Sequence, residues 1–147
     1  MIRLSRLSDY GIVLMAHLAG LGRPGPHNAR ELAAEARLPL PVVSKLLKTL
    51  AREGLLESHR GAKGGYSLAR SPERITAAEM ITALEGPIGL TECTVHPGAC
   101  TQESSCHVRE PWQRINARVR LALTDVTLAD LAQPPRDTLP IAREEHV

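Results

Sequence analysis

Val43, Leu46, Leu47 and Leu50 recur at intervals of three and four, the period of one buried face of an α-helix. Ser44, Lys45, Lys48 and Arg52 fall on the opposite side of that helix. Pro41 opens it, since the fixed φ of proline suits the first helical position, and Gly54 ends it in a left-handed cap. A shorter helix precedes it, with Leu32, Ala33 and Ala36 on its apolar side. Asn28 caps that helix, and Glu31 three residues later completes a capping box. Leu38-Pro39-Leu40 separates the two. Residues 8–20 read as a first helix, capped by Ser8 or Asp9, with Ile12, Met15, Ala16 and Ala19 on one face. The turn after it, Gly20 to Pro26, is rich in glycine and proline.

Beyond residue 54 the period changes. Leu55–His59 and Tyr66–Ala69 read as short strands joined through Arg60-Gly61-Ala62-Lys63-Gly64-Gly65, a hairpin tip with two cations. Thr76 and Glu79 then form a second capping box ahead of Met80, Ile81 and Leu84, and Gly86-Pro87 stops that helix. A long helix follows from about Val108 to Val126, with Trp112, Ile115, Val119, Leu123 and Val126 on one stripe. Thr127 can cap a last turn over Leu128–Leu131. The residues from Gln133 onward, with three prolines and mixed charges, read as disordered.

The order helix, short helix, break, helix with a polar face, then basic-tipped hairpin is that of a winged helix-turn-helix. The expected fold is therefore mainly α, with a small β-hairpin wing and a long C-terminal helix for dimerisation. We divide the chain into a DNA-reading region 1–86, a cysteine loop 87–107, a dimerisation helix 108–132 and a tail 133–147. The third helix can lie in the major groove of double-stranded operator DNA, where Pro41, Val42, Ser44, Lys45 and Lys48 face bases and phosphates. Arg60 and Lys63 at the wing tip supply a second contact, with Arg60 suited to the negative minor groove. The stripe on the long helix follows an already complete small core. It calls for a partner surface, and two-fold pairing into a homodimer suits a reader of palindromic half-sites.

Charge supports the same surface. Residues 37–74 carry eight Lys/Arg against three Asp/Glu, whereas residues 75–147 carry six against ten. A basic middle is an electrostatic footprint for phosphate. Aromatic residues are only 2% of the chain, so the core must come from Leu, Ile, Val, Ala and Met, as in packed helices. No apolar run reaches the roughly 18 residues of a membrane span, and the N-terminal residues lack the pattern of a signal peptide. The cytoplasm is the expected compartment. No small-molecule substrate is expected: the histidines are scattered and no phosphate-binding glycine loop precedes a helix, which argues against an enzyme.

All three cysteines, Cys93, Cys100 and Cys106, lie within fourteen residues, spaced C-x6-C-x5-C. An odd number leaves one thiol over after disulfide pairing, and in a reducing compartment clustered thiols point to metal. Thiolates select soft metals, and the C-x2–4-C spacing of zinc sites is absent. An iron–sulfur cluster, either 2Fe–2S or 4Fe–4S, is the best match. A loop of this kind between a DNA reader and a dimer helix can alter both.

Several segments together resemble the IscR, NsrR and SufR-type family of winged-helix iron–sulfur regulators. They are Met1–Leu4 through Asp9-Tyr10, Leu40–Lys48, the wing Arg60–Tyr66, Leu84-Glu85-Gly86-Pro87 and the three cysteines. The resemblance covers residues 1–132. Glu85–Ile88 with Trp112–Asn116 most resembles the branch that regulates SUF-type iron–sulfur assembly genes. It implies a homodimer that binds operator DNA and senses its own cluster, a repressor of those genes. It also implies ligation by Cys93, Cys100 and Cys106. The fourth ligand departs from the family pattern. The IscR-like histidine position, three residues after the last cysteine, holds Arg109, which cannot ligate. His107 is adjacent, and His96 lies within the loop. The NsrR-like position, an aspartate early in the first helix and supplied by the other subunit, matches Asp9. Three thiolates and one oxygen would leave a labile corner, open to oxygen or nitric oxide. The alternatives are a nitric-oxide or redox-sensing repressor on the same scaffold, and a metal- or cluster-carrying thiol protein without specific DNA binding.

Overall fold

In the computed structural model, which describes residues 2–134, the first helix, α1, spans Arg6–Gly20. It starts earlier than the apolar period indicates because Ser5, rather than Ser8 or Asp9, is its cap: the Ser5 hydroxyl accepts from the Ser8 amide at 3.1 Å. Its buried face is Ser8, Gly11, Leu14, Met15 and Leu18. That face is rotated from the expected one, of which only Met15 is fully buried while Ile12, Ala16 and Ala19 are half-buried. The cause is packing on several sides: α1 touches the helices that follow it and also the last helix of the chain. Gly11 permits the closest of these approaches, since a Cβ there would stand 2.7 Å from Leu84 Cδ1.

Helix α2 (Ala29–Ala36) is capped by the Asn28 side chain, which accepts from the Glu31 amide at 2.8 Å. It ends at Arg37, whose φ of 55° is left-handed, and the Arg37 amide donates to the carbonyls of Ala33 and Ala34. Helix α3 (Leu40–Arg52) begins one residue before Pro41, with Pro39 as its cap and Pro41 in its first turn. Val43, Leu46, Leu47 and Leu50 are fully buried, as their spacing requires. Strands β1 (Leu56–His59) and β2 (Gly65–Leu68) form one antiparallel pair, with Leu56 opposite Leu68 and His59 opposite Gly65. Strand β1 starts one residue after its expected run, and β2 keeps the expected length but lies one residue earlier, because Leu55 and Ala69 join through a single Ala69 N–H to Leu55 carbonyl bond outside the ladder.

Helix α4 (Ala77–Glu85) carries the expected Thr76–Glu79 capping box. A short helix α5 (Glu92–Val95) and a 3₁₀ turn (Glu103–Ser105) then lie within the cysteine segment. The long helix α6 spans Arg109–Thr124, and α7 spans Leu128–Ala132. The last turn is more than an appendage. Leu128 is completely buried, and the segment before it forms an antiparallel bridge to the start of α4, with Ala77 N–H to Val126 O at 2.8 Å and Leu128 N–H to Ile75 O at 2.8 Å. The core thus gathers α1–α4, the wing base and α7 around Leu14, Leu32, Leu47, Ile75, Met80 and Leu128, while α6 contributes no apolar residue to it. No helix among the described residues is long and apolar enough to cross a membrane. The tail expected to be disordered lies outside the described residues beyond Pro134.

Two charged tethers hold the N-terminal half together. Glu35 of α2 accepts from Arg23 at 2.7 Å and pairs with His17 of α1 at 2.9 Å. His17 and then Arg23 hold its carboxyl below the usual carboxylate range. Glu85, at the end of α4, accepts from the Ser5 amide at 2.6 Å. That bond, with a smaller contribution from Ser8, depresses its pKa.

Candidate functional site

The left-handed Arg37 turn sets the angle between α2 and α3, so that α3 presents its polar side outward. Pro41, Lys45 and Lys48 are exposed, and Val42 and Ser44 are half-buried at the edge of the same face. None of the DNA-facing residues expected on this helix is in the core. A helix held from beneath by four leucine and valine side chains can enter a groove without unfolding its own support.

The wing is fixed at its base and open at its tip. Tyr66 and His27 exchange backbone hydrogen bonds at 2.8 and 2.9 Å, which ties β2 to the loop between α1 and α2. His27 is buried there, a role that its position in a glycine- and proline-rich turn does not signal. Two glycines at the β2 end have no room for a side chain. A Cβ at Gly64 would lie 2.4 Å from the His59 carbonyl oxygen, and one at Gly65 would lie 2.3 Å from that of His27. His59 and Ser67 join their strands by a side-chain hydrogen bond at 2.8 Å. Arg60, Gly61, Ala62 and Lys63 at the tip are all exposed. The exposed cations of α3 and of the wing therefore sit on separate supports, each anchored in the core.

All three cysteines are free thiols and half-buried. Cys93 lies on α5, where its sulfur is 3.2 Å from the Thr91 hydroxyl. Cys100 precedes the 3₁₀ turn and Cys106 closes it. Three reduced sulfur donors on one segment suit a soft metal or an iron–sulfur cluster chemically. The arrangement, however, does not gather them: among the described residues no three His, Cys, Asp or Glu side chains are grouped closely enough to hold a metal ion. His96 and His107 are exposed. Asp9 is exposed in the first turn of α1, with its amide bonded to the Ser5 carbonyl, and its carboxylate neither caps the helix nor pairs with a described residue. Arg109 forms an ion pair with Glu103 at 2.8 Å.

Helix α6 rests on the chain through one buried residue, Asn116, which spacing alone did not single out. Its side-chain oxygen accepts from the Leu90 amide at 3.1 Å, and its nitrogen donates to the Ile88 carbonyl at 3.3 Å. The stripe expected for dimerisation divides about this anchor. Trp112 and Ile115 remain 38% and 46% exposed, and Val126 36%. Val119 and Leu123 are half-buried and line a groove of about 520 Å³ with Ile2, Leu4, Ile81 and Ile88. Leu121, outside the stripe, is also exposed.

The chain is similar to known transcriptional regulators along most of its length. The profile of the Rrf2 family, described as an iron-dependent transcriptional regulator, matches residues 4–134. The HTH-type transcriptional regulator CymR of Bacillus subtilis is 34% identical over 131 residues, 89% of this chain and 90% of that protein. The solved structure of that CymR, titled the global cysteine regulator, superposes with a TM-score of 0.69 over 90% of this chain and 97% of that one, at 35% identity. The T. potens IscR structure superposes with a TM-score of 0.67 at 27% identity, over 92% of this chain and 94% of that one. IscR of Yersinia pestis is 26% identical over 145 residues, 99% of this chain and 87% of its own length.

Proposed function

The chain belongs to the Rrf2 family of winged-helix, DNA-binding transcriptional regulators, and from that premise we propose that it is a homodimeric repressor that reads its own iron–sulfur state. The observation that carries the reading is the conjunction of two surfaces on one chain: exposed cations on α3 and on an anchored wing, and three free thiols between that reader and α6. The protein is a regulator rather than an enzyme. Its site of action is the cytoplasm, and its regulated genes are those of SUF-type iron–sulfur assembly.

In this reading Lys45, Lys48 and Ser44 engage the major groove, with Pro41 and Val42 at the leading edge of α3 against the phosphate backbone. Arg60 and Lys63 hold the wing on the adjacent strand. Trp112, Ile115 and Val126 supply the exposed apolar surface that a second copy would cover. Cys93, Cys100 and Cys106 would hold the cluster, with Asp9 of the other subunit as the fourth ligand and His107 as its competitor. A bound cluster supplies a redox-labile centre with one non-thiolate corner. The rest of the switch belongs to the protein: a ligand borrowed from α1 of the other subunit ties the state of the cysteine loop to the spacing of the two reading helices.

The test has two arms. Anaerobically purified protein should contain iron and acid-labile sulfide and absorb in the visible, and each Cys→Ser variant should lose that absorbance. On duplex operator DNA, Lys48→Ala and Arg60→Ala should each flatten the slope of log affinity against log salt by about one contact. Metal-free protein with no visible absorbance would sink the cluster half, and unchanged slopes would sink the DNA surface. A second reading draws support from the higher identity to CymR: a thiol-based regulator of cysteine-related genes on the same scaffold. Reversible oxidation of the cysteines that changes DNA affinity in metal-free protein favours that reading.

A further inference from the structure

The donor set of the cysteine segment suits a metal, yet its thiols are not gathered. Glu103 offers a physical reason. It stands between Cys100 and Cys106, and its side chain is only 10% exposed, unusual for a carboxylate on a polar loop. One oxygen accepts from the Gly98 amide at 2.6 Å. The other pairs with an Arg109 terminal nitrogen at 2.8 Å. Gly98 lies between the first two cysteines, with a φ of 87° that places its N–H at the turn. Arg109 lies three residues beyond the last cysteine, at the start of α6. A single buried carboxylate therefore closes residues 98–109 into a ring that contains Cys100 and Cys106 and leaves Cys93 outside. Backbone bonds complete the ring, from Glu103 N–H to Cys100 O at 3.2 Å and from Arg109 N–H to Cys106 O at 3.4 Å. The Arg109 Nε–H is buried without a partner, so the guanidinium is held by the ion pair rather than by a full set of acceptors.

We infer that Glu103 and Arg109 form a latch that stabilises the metal-free arrangement of the cysteine loop and opposes the gathering of its three thiols. The inference rests on the reading of this loop as a metal site and supplies its two-state element. In the latched state the thiols are separate and half-buried. Gathering them around a metal requires the ring to open, and loss of the metal lets the carboxylate return to Gly98 and Arg109. A contact made in only one of two states shifts their populations by the strength of that contact. Arg109, at the position where the resemblance to IscR-like regulators implies a histidine ligand, is the other half of the latch. Glu103 is thus a positioning residue and not a ligand.

The experiment compares the full chain with Glu103→Gln, Arg109→Gln and the double variant, all metal-free and reduced. Alkylation by iodoacetamide is followed cysteine by cysteine by mass spectrometry. Glu103→Gln should speed modification of Cys100 and Cys106 by about fivefold, the upper size expected for losing one partly exposed ion pair, with Cys93 and the melting temperature unchanged. Arg109→Gln should do the same, and the double variant no more than either, because one contact is lost only once. Glu103→Asp, too short to span both partners, should not restore the slow rate. Titration with Co²⁺, read by its thiolate charge-transfer band, should show tighter binding in Glu103→Gln by a similar factor. Unchanged alkylation of Cys100 and Cys106, additive effects in the double variant, or weaker Co²⁺ binding would each overturn the latch. Absence of the cobalt–thiolate band in every protein would overturn the metal reading alone, while the alkylation rates still decide the latch.

Discussion

Replacing Gly65 by alanine should uncouple the wing from the body of the protein. The added Cβ would lie 2.3 Å from the His27 carbonyl oxygen, 2.4 Å from its carbon and 2.8 Å from the Asn28 nitrogen, all backbone atoms that no side-chain rotation can move. The φ of 153° is also one that L-residues seldom adopt. Relief requires a shift of about 1 Å between β2 and the loop that carries His27, enough to stretch both hydrogen bonds of the Tyr66–His27 bridge from 2.8 and 2.9 Å beyond useful length. Backbone strain of about 1–3 kcal/mol and two backbone bonds of about 1 kcal/mol each give a loss of about 3–5 kcal/mol. For a chain of this size that lowers the melting temperature by roughly 10–15 °C. Gly61→Ala is the matched control, because Gly61 has a φ of 107° but nothing within 4 Å of its Cβ, so it bears strain without collision. Calorimetry of the two variants, with fluorescence anisotropy on an operator duplex, separates the effects. The reasoning is refuted if Gly65→Ala melts within a degree or two of Gly61→Ala, or if it binds DNA as tightly as the parent chain.

Asn116→Ala should cost about 1–3 kcal/mol, because it leaves the Leu90 amide and the Ile88 carbonyl without their partner, and hydrogen exchange at Leu90 should accelerate. Arg37→Gly should stabilise the chain by about 0.5–1 kcal/mol, since the left-handed C-cap at φ 55° is strained for arginine and free for glycine; denaturant midpoints measure it. The carboxyls of Glu35 and Glu85 are depressed in the folded chain by their hydrogen-bond partners. Their contribution is complete above the unfolded carboxylate value of about 4.5 and is lost as pH falls through the lower folded values. Glu85→Gln should therefore flatten stability against pH only in the acid range and leave the neutral range parallel to the parent chain. A change in slope at neutral pH would contradict the assignment.

The reading helices and the wing were legible because each rests on a local rule. The period of Val43, Leu46, Leu47 and Leu50 names its own buried face, Thr76 and Glu79 mark a helix start, and the cation-bearing tip lies between two short apolar runs. Errors arose where more than one neighbour acts on an element. Helix α1 packs on several elements, so its buried face is wider than a single stripe, and Gly11 and Leu14 belong to it although the spacing pointed to Ile12 and Ala16. Leu128 looked like part of a terminal turn and proved to be core, because its burial depends on a bridge to residues 75–77 some fifty positions earlier. No local pattern announces a contact of that range. His27 was missed for the same reason: its partner is the backbone of Tyr66.

The candidate site divides along the same line. Cysteines can be counted in a sequence, and the three thiols are free as their odd number requires for at least one of them. What holds them cannot be counted, because it depends on a carboxylate that spacing left unremarked. Glu103 reads as one more acid on a polar loop, and Arg109 reads only as the loss of a histidine ligand. Together they form an ion pair in the cysteine segment, in which the carboxylate is mostly covered and the arginine reaches solvent. Burying a carboxylate is costly unless it is paired and hydrogen-bonded, and Glu103 has both an arginine and a backbone amide. Loss of Arg109 would leave that carboxylate with the Gly98 amide alone. If the loop holds a cluster, as proposed, gain and loss of that cluster require two arrangements of comparable free energy. On that proposal Arg109, at the position where the resemblance to IscR-like regulators implies a histidine ligand, supplies part of the second arrangement.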